Sequence, residues 1–218
     1  MKAWKRLPVA LFALAAFGCA SGTVYRRGDA PKIDYSKEKF IVMPVDIHGL
    51  PGDKLKYSAA LFGGIIGASG GNGISLQPIK PVLEAAGMGN LSWKLAHGTY
   101  HMVSVHHIYD FKKDTDQSEL ATYPEMAAKL VGKAAEALKL NFKPRFVLSA
   151  HIDGMGKGSL PGTYKYRVIA SLYDTKVGMV HAATYYVKTT AEKALLAEMA
   201  TLGKQVFAIL KKADDEAK

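Results

Sequence analysis

The sequence predicts a single domain of the α/β (α+β) class, in which helices pack against a mixed β-sheet. Alternating apolar and polar residues over 164–188 are interrupted by an Asp-x-x-x-Gly turn, which predicts a C-terminal β-hairpin. A helical repeat of apolar residues follows over 194–211. Upstream, apolar runs at 39–47 and 145–152 predict buried strands, and helical segments lie between them.

The N-terminal part of this domain begins with the strand at 39–47, which is rich in β-branched residues and is followed by His48 and Gly49. Pro44 has no amide proton, so we expect it where the strand leaves its ladder or forms an edge. Residues 55–69 are small and apolar on all sides, and glycines follow them. This composition predicts a short helix that continues into a flexible loop.

Three more helical segments precede the second strand. Residues 81–86 form one or two turns, and Asn90 can cap a helix over 91–105 because its side chain accepts amide protons. Pro124 opens the third helix, over 125–140, which has its apolar residues on one face.

The N-terminus has the three parts of an export signal. A cationic start at residues 1–6 precedes an apolar stretch at 7–17 and a region of small residues. An apolar stretch of this length is too short to cross a hydrocarbon core of ~30 Å. Residues 1–18 are therefore predicted to be a signal peptide that is removed on export.

The residues around Cys19 resemble the lipobox of bacterial lipoproteins, in which the cysteine sulfur receives a diacylglycerol before cleavage. Phe17 stands where the lipobox usually has a small residue, so a plain secretory signal is the alternative. Cys19 is the only cysteine of the chain and cannot form an internal disulfide, whereas lipidation accounts for it. Ala20 is not Asp, which by resemblance to Gram-negative sorting implies the outer membrane, with the domain facing the periplasm.

The mature chain is basic. Removal of residues 1–18 takes away three cations and no acids, which lowers the formal charge from +10 to +7. The basic residues are scattered, which favours an ordinary solvated surface over attraction to anionic lipids or an acidic partner. We assign 19–38 to the lipidated N-terminus and a flexible tether, 39–213 to the domain and 214–218 to a disordered tail. No nucleic-acid partner is expected, and no cofactor beyond the covalent lipid on Cys19.

Three phrases occur in a fixed order: Ile-Val-Met-Pro-Val at 41–45, Phe-Val-Leu-Ser-Ala-His-Ile at 146–152, and the hairpin at 166–180. Together they resemble a group of envelope domains that includes the N-terminal domain of TolB, the curli-secretion lipoprotein CsgG and the lipoprotein activators of peptidoglycan synthases. The resemblance covers 39–47 and 123–211. It implies a strand, helices, a second strand, a hairpin and a closing helix, in a protein accessory to envelope assembly.

Histidines concentrate between residues 97 and 107. On a helix, His97 and His101 lie on one face, with the spacing by which two imidazoles can bind zinc or copper. Gly98 follows His97, so the His-Glu-x-x-His motif and its general base are absent. The alternative is a set of ordinary surface and partly buried histidines.

A second candidate site is apolar. The segment at 59–73 combines small residues with four larger ones that are candidates for contact with a membrane or a neighbouring subunit: Leu61, Phe62, Ile65 and Ile66. The alternative is a helix buried in its own domain.

No motif for catalysis is assembled in the sequence: there is no Gly-Lys-Ser/Thr phosphate loop, and Gly-Ala-Ser-Gly-Gly at 67–71 lies at the end of a predicted helix instead of after the strand that precedes a nucleophile elbow. We therefore predict a non-enzymatic, lipid-anchored envelope protein that binds or assembles an envelope protein partner. One alternative is a CsgG-like oligomeric secretion or transport component that uses residues 55–73 at a subunit or membrane contact. The other is a metal-binding protein that uses His97 and His101.

Overall fold

The computed structural model describes residues 23–101 and 123–216. In this part of the chain seven strands form one mixed sheet in the order β1-β7-β6-β5-β2-β4, and β3 also pairs with β5. The strands are β1 Thr23–Arg26, β2 Phe40–Val42, β3 Asp46–His48, β4 Gly73–Ser75, β5 Phe146–Lys157, β6 Thr163–Asp174 and β7 Met179–Ala191. Strands β2 and β3 run parallel to β5, and β4 runs parallel to β2. The other pairs are antiparallel.

Helices cover both faces of this sheet. They are α1 Lys54–Ala68, α2 Lys80–Ala85, α3 Leu91–His101, α4 Tyr123–Ala137 and α5 Leu195–Asp215. Helices α1 and α5 share one buried apolar core with the sheet, and α2, α3 and α4 share another on the opposite face. The predicted α/β class is confirmed, and each predicted helix begins within one or two residues of an observed one.

The predicted hairpin pairs β6 with β7 over their full length. Gly178 has a φ of +71° in the connection, where a side chain would be strained. The Asp174 carboxylate is fully buried beside the turn, and it accepts hydrogen bonds from Arg145 Nε and the Lys176 amide at 3.0 Å each. The Arg145 ion pair therefore joins the start of β5 to the end of β6.

The strand predicted over 39–47 is divided into β2 and β3. The Met43 amide donates to the Leu148 carbonyl at 2.9 Å, and the ladder to β5 resumes at Asp46. Pro44 lies in the interruption, as expected of a residue without an amide proton.

Both ends of the domain differ from the prediction. Part of the predicted tether forms β1, which pairs with β7 from Thr23 to Arg26. The predicted tail begins at Asp214, but this residue is inside α5 and buried. Its carboxylate accepts hydrogen bonds from Arg26 Nε at 2.8 Å and from the Tyr35 hydroxyl at 2.7 Å, and it lies 2.7 Å from His181 Nε2. These contacts hold the N-terminal and C-terminal segments together.

The apolar candidate surface is core rather than interface. Leu61 and Ile65 are fully buried and Phe62 nearly so, while Ile66 packs against the same core. Gly64 of this segment has a structural role, because it meets Gly203 of α5 where the two helices cross. A Cβ added at Gly64 would lie 3.1 Å from Gly203 Cα and would collide with the Ala200 carbonyl. The segment therefore stabilises the domain itself.

Candidate functional site

Polar side chains form two rows across β3, β5 and β6. In the strand registers, Asp46 faces His151, while His48 faces Asp153 and Asp153 faces Arg167. Residues opposite each other on neighbouring strands project from the same face of a sheet, as do residues two apart on one strand. The five side chains are therefore brought together on the face that α3 covers.

Hydroxyl groups hold α3 against this face. Ser171 Oγ donates to the Leu95 carbonyl at 3.0 Å and shares a 2.7 Å hydrogen bond with Ser149 Oγ, and Ser92 Oγ lies 3.4 Å from the Ala150 carbonyl. Such small side chains allow the helix backbone to approach the strands closely. Two residues after Leu95 on α3, the His97 ring reaches the sheet residue His151, with 4.6 Å between ring centroids.

His151 is fully buried at the centre of the group. Its Nε2 atom lies 2.6 Å from Asp153 Oδ1, and the other carboxylate oxygen accepts a 2.7 Å hydrogen bond from Arg167 Nε. His97 Nε2 is 3.2 Å from the same oxygen as Arg167. Asp153 is thus held from three directions.

The other nitrogen of His151 faces β3. Its Nδ1 atom is 3.8 Å from Asp46 Oδ2 and has no hydrogen-bond partner among the residues that the structure describes. Asp46 Oδ2 also lies 3.0 Å from His48 Nε2, and the rings of His48 and His151 are 5.3 Å apart. The imidazole of His151 therefore separates two carboxylates, one on each side.

Burial sets the protonation of the group. Burial lowers the pKa of His151, although the nearby Asp153 carboxylate opposes this shift. Burial also lowers the pKa of His97, and repulsion from His151 lowers it further. Burial alone would raise the pKa of Asp153, but hydrogen bonds from His151 and Arg167 outweigh it, and the net shift is downward. Near neutral pH the two rings are neutral and Asp153 is ionised.

Asp46 and His48 also line a surface cleft of about 640 Å³. Its other lining residues are Lys80 and Glu84 of α2 and, from the connection to α3, Gly87, Gly89 and Asn90. The cleft gives solvent and solutes access to the β3 side of the group.

The structure brings together part of what the sequence predicted. His97 is in the group, but its neighbours are His151 and Asp153; the predicted partner His101 ends α3, and its side chain lies outside the described residues. The strand predicted at 145–152 continues through Asp153 to Lys157, so Asp153 belongs to the sheet. A signal for the missed residues exists: Asp-x-His at 46–48 and His-x-Asp at 151–153 each place two polar groups on one face of an apolar strand.

Comparisons with known proteins show similarity only to solved structures, since no protein-family model and no curated protein sequence matches the chain. The PelC dodecamer from Paraburkholderia phytofirmans is 13% identical with a TM-score of 0.46, and the match covers 87% of this chain and 98% of that one. Lipoprotein GNA1162 from Neisseria meningitidis is 12% identical with a TM-score of 0.39, and the match covers 82% of this chain and 99% of that one. The hypothetical protein CT253 from Chlamydia trachomatis is 11% identical with a TM-score of 0.40, and the match covers 81% of this chain and 98% of that one.

These neighbours include a lipoprotein and an oligomeric protein, but similarity at this level assigns no function to the chain. Within residues 23–101 and 123–216, no helix is both long enough and apolar enough to cross a membrane.

Proposed function

We propose that the protein is a lipid-anchored component of the cell envelope that acts as a non-enzymatic binding or assembly factor on the periplasmic face of the outer membrane. The observation that carries the proposal is the single cysteine, Cys19, which directly follows an export signal. Acyl chains contribute about 0.8 kcal/mol for each buried methylene, so a triacylated cysteine attaches the chain to a membrane durably.

The position of β1 adds a geometric consequence. Thr23, the first residue of the edge strand, is four residues after Cys19. An extended chain spans at most ~3.6 Å per residue, so the start of β1 lies within about 14 Å of the lipidated residue. The β1 edge of the sheet is then held close to the bilayer surface, and the domain presents its remaining surfaces to a partner.

The anchor is tested by replacing Cys19 with Ser and supplying cells with a palmitate analogue. We expect the variant to lose the label and to leave the membrane fraction. Because the chain has no other cysteine, residual labelling cannot come from a second thiol. Unchanged labelling and membrane partition of the variant would show that the anchor assignment is wrong.

Ala20→Asp is the matched control for sorting. The variant keeps Cys19, so we expect it to be labelled as strongly as the natural chain. It should move from the outer to the inner membrane fraction, since Asp directly after the cysteine is the retention signal that the resemblance to Gram-negative lipoproteins implies. Unchanged outer-membrane fractionation of this variant would contradict the sorting assignment and leave the anchor untouched.

The accessory role is tested by cross-linking in intact envelopes followed by affinity capture, with light scattering of the Cys19→Ser protein alongside. A specific protein partner captured with the natural chain supports the proposal. A ring of identical subunits would favour the oligomeric transport component instead. Turnover of an envelope substrate without a stable partner would refute a non-enzymatic role.

A further inference from the structure

We propose that Asp46, His48 and His151 form a zinc site, with His151 binding through Nδ1 and a fourth coordination position open to the cleft. One ligand atom from each residue can be chosen so that all three lie within 4.8 Å of one another. Tetrahedral zinc with bonds of about 2.0–2.1 Å separates its ligand atoms by roughly 3.3 Å. The distances of Asp46 Oδ2 from His48 Nε2, 3.0 Å, and from His151 Nδ1, 3.8 Å, are close to that value.

The orientation of His151 supports this assignment independently. His151 Nε2 lies 2.6 Å from Asp153 Oδ1, so this nitrogen is engaged with a carboxylate, and Nδ1, which faces β3, is the nitrogen left to bind a metal. Metal-binding histidines commonly donate their second N–H to a carboxylate in this way, which fixes the ring and increases its basicity. Asp153 has the position of that carboxylate.

The lone pair of His151 faces another acceptor. Nδ1 and Asp46 Oδ2 are 3.8 Å apart, and Nδ1 has no hydrogen-bond partner among the described residues, although His151 is fully buried. A buried acceptor without a donor is costly. A divalent cation between the imidazole nitrogen and the carboxylate satisfies both groups, and His48 completes a set of two histidines and one carboxylate, which suits zinc.

The rival location is the other side of His151, where His97 and Asp153 complete a second group of three. It is the weaker candidate because Arg167 Nε is bound to Asp153 Oδ2 at 2.7 Å, which places a permanent positive charge next to any metal. A metal there would also compete with Arg167 and with His151 Nε2 for the same carboxylate. On the β3 side, Asp46 has no arginine partner among the described residues, and its hydrogen-bond partner His48 is itself one of the proposed ligands.

The test measures zinc affinity with a competing chromophoric chelator, in the Cys19→Ser protein so that no thiol contributes. His48→Gln is the diagnostic variant, because the His48 side chain is 59% exposed and its replacement leaves the core intact. Loss of an outer-shell partner typically weakens a metal site 10–100-fold, so we expect loss of this direct ligand to weaken zinc binding by about 100-fold or more. His97→Gln tests the rival location and should weaken zinc binding much less than His48→Gln, because His97 contacts His151 and Asp153 but supplies no ligand atom to the proposed site.

A second readout is thermal stability. Zinc should raise the unfolding temperature of the parent protein and of His97→Gln, but not that of His48→Gln, because a ligand stabilises only the folded state that binds it. Circular dichroism of the metal-free proteins checks that each variant is folded. The site would be overturned if the parent protein failed to bind zinc, if His48→Gln bound it as the parent does, or if His97→Gln weakened binding as strongly as His48→Gln.

Discussion

Two adjacent glycines of α1 should respond oppositely to the same substitution. Gly63 is exposed, and an added Cβ would meet no atom within 4 Å, whereas Gly64 is buried at the crossing with α5. A Cβ at Gly64 would collide with the Ala200 carbonyl and lie 3.1 Å from the Cα of Gly203. These neighbours are backbone atoms, so no change of side-chain rotamer can relieve the overlap, and the helices must separate.

The magnitudes follow from two opposing effects. Replacing Gly by Ala inside a helix stabilises it by about 1 kcal/mol, and overpacking a core costs up to about 3 kcal/mol. At Gly64 both effects operate, so we expect Gly64→Ala to lower the free energy of unfolding by about 2 kcal/mol. At Gly63 only the first operates, so Gly63→Ala should raise the free energy of unfolding by about 0.5–1 kcal/mol.

Urea unfolding followed by circular dichroism, in the non-lipidated Cys19→Ser protein, measures both variants against the same parent. In thermal melts the loss at Gly64 corresponds to a decrease of about 4–8 °C in Tm for a domain of this size. If Gly64→Ala were as stable as Gly63→Ala, the close crossing of α1 and α5 through the two glycines would be refuted.

Three further substitutions test other contacts. Asp214→Asn should destabilise the domain near neutral pH and reduce the loss of stability below about pH 4, as measured by chemical unfolding at several pH values. Burial alone would raise the pKa of Asp214, but its hydrogen bonds outweigh burial and lower the pKa. The stabilisation that results is lost as the pH falls towards the lowered pKa. Arg145→Ala leaves the fully buried Asp174 carboxylate without its cation and should cost about 3 kcal/mol in urea unfolding. Gly49→Ala, at a φ of +66° with a Cβ 2.9 Å from the Gly154 carbonyl oxygen, should lower Tm by several degrees, about 1–3 kcal/mol. A neutral result in any of these measurements would contradict the corresponding contact.

Much of the fold could be predicted from local patterns. The hairpin of β6 and β7 is encoded by alternation on both sides of a turn that ends in Gly178, and α5 by an apolar repeat at helical spacing. Pro44 likewise marked the interruption between β2 and β3, since the missing amide proton is a property of the residue itself.

The candidate site could be predicted only in part. The sequence identified His97 but paired it with His101, because spacing along a helix reveals proximity only between residues of that helix. His48, Asp153 and His151 come from strands and meet through the registers of β3, β5 and β6. Register depends on which strands pair, and that is decided by the whole sheet.

The sequence by itself therefore determined the local elements, the single cysteine and the basic charge of the chain, and it predicts an export signal. Tertiary structure alone decided that the predicted tether contributes β1, that Asp214 is buried against Arg26, and that Gly64 is an interhelical contact. It also decided that His151 lies between two carboxylates. The physical reason is that each of these depends on residues far apart in the chain, whose proximity follows from burying two apolar cores on opposite faces of one sheet.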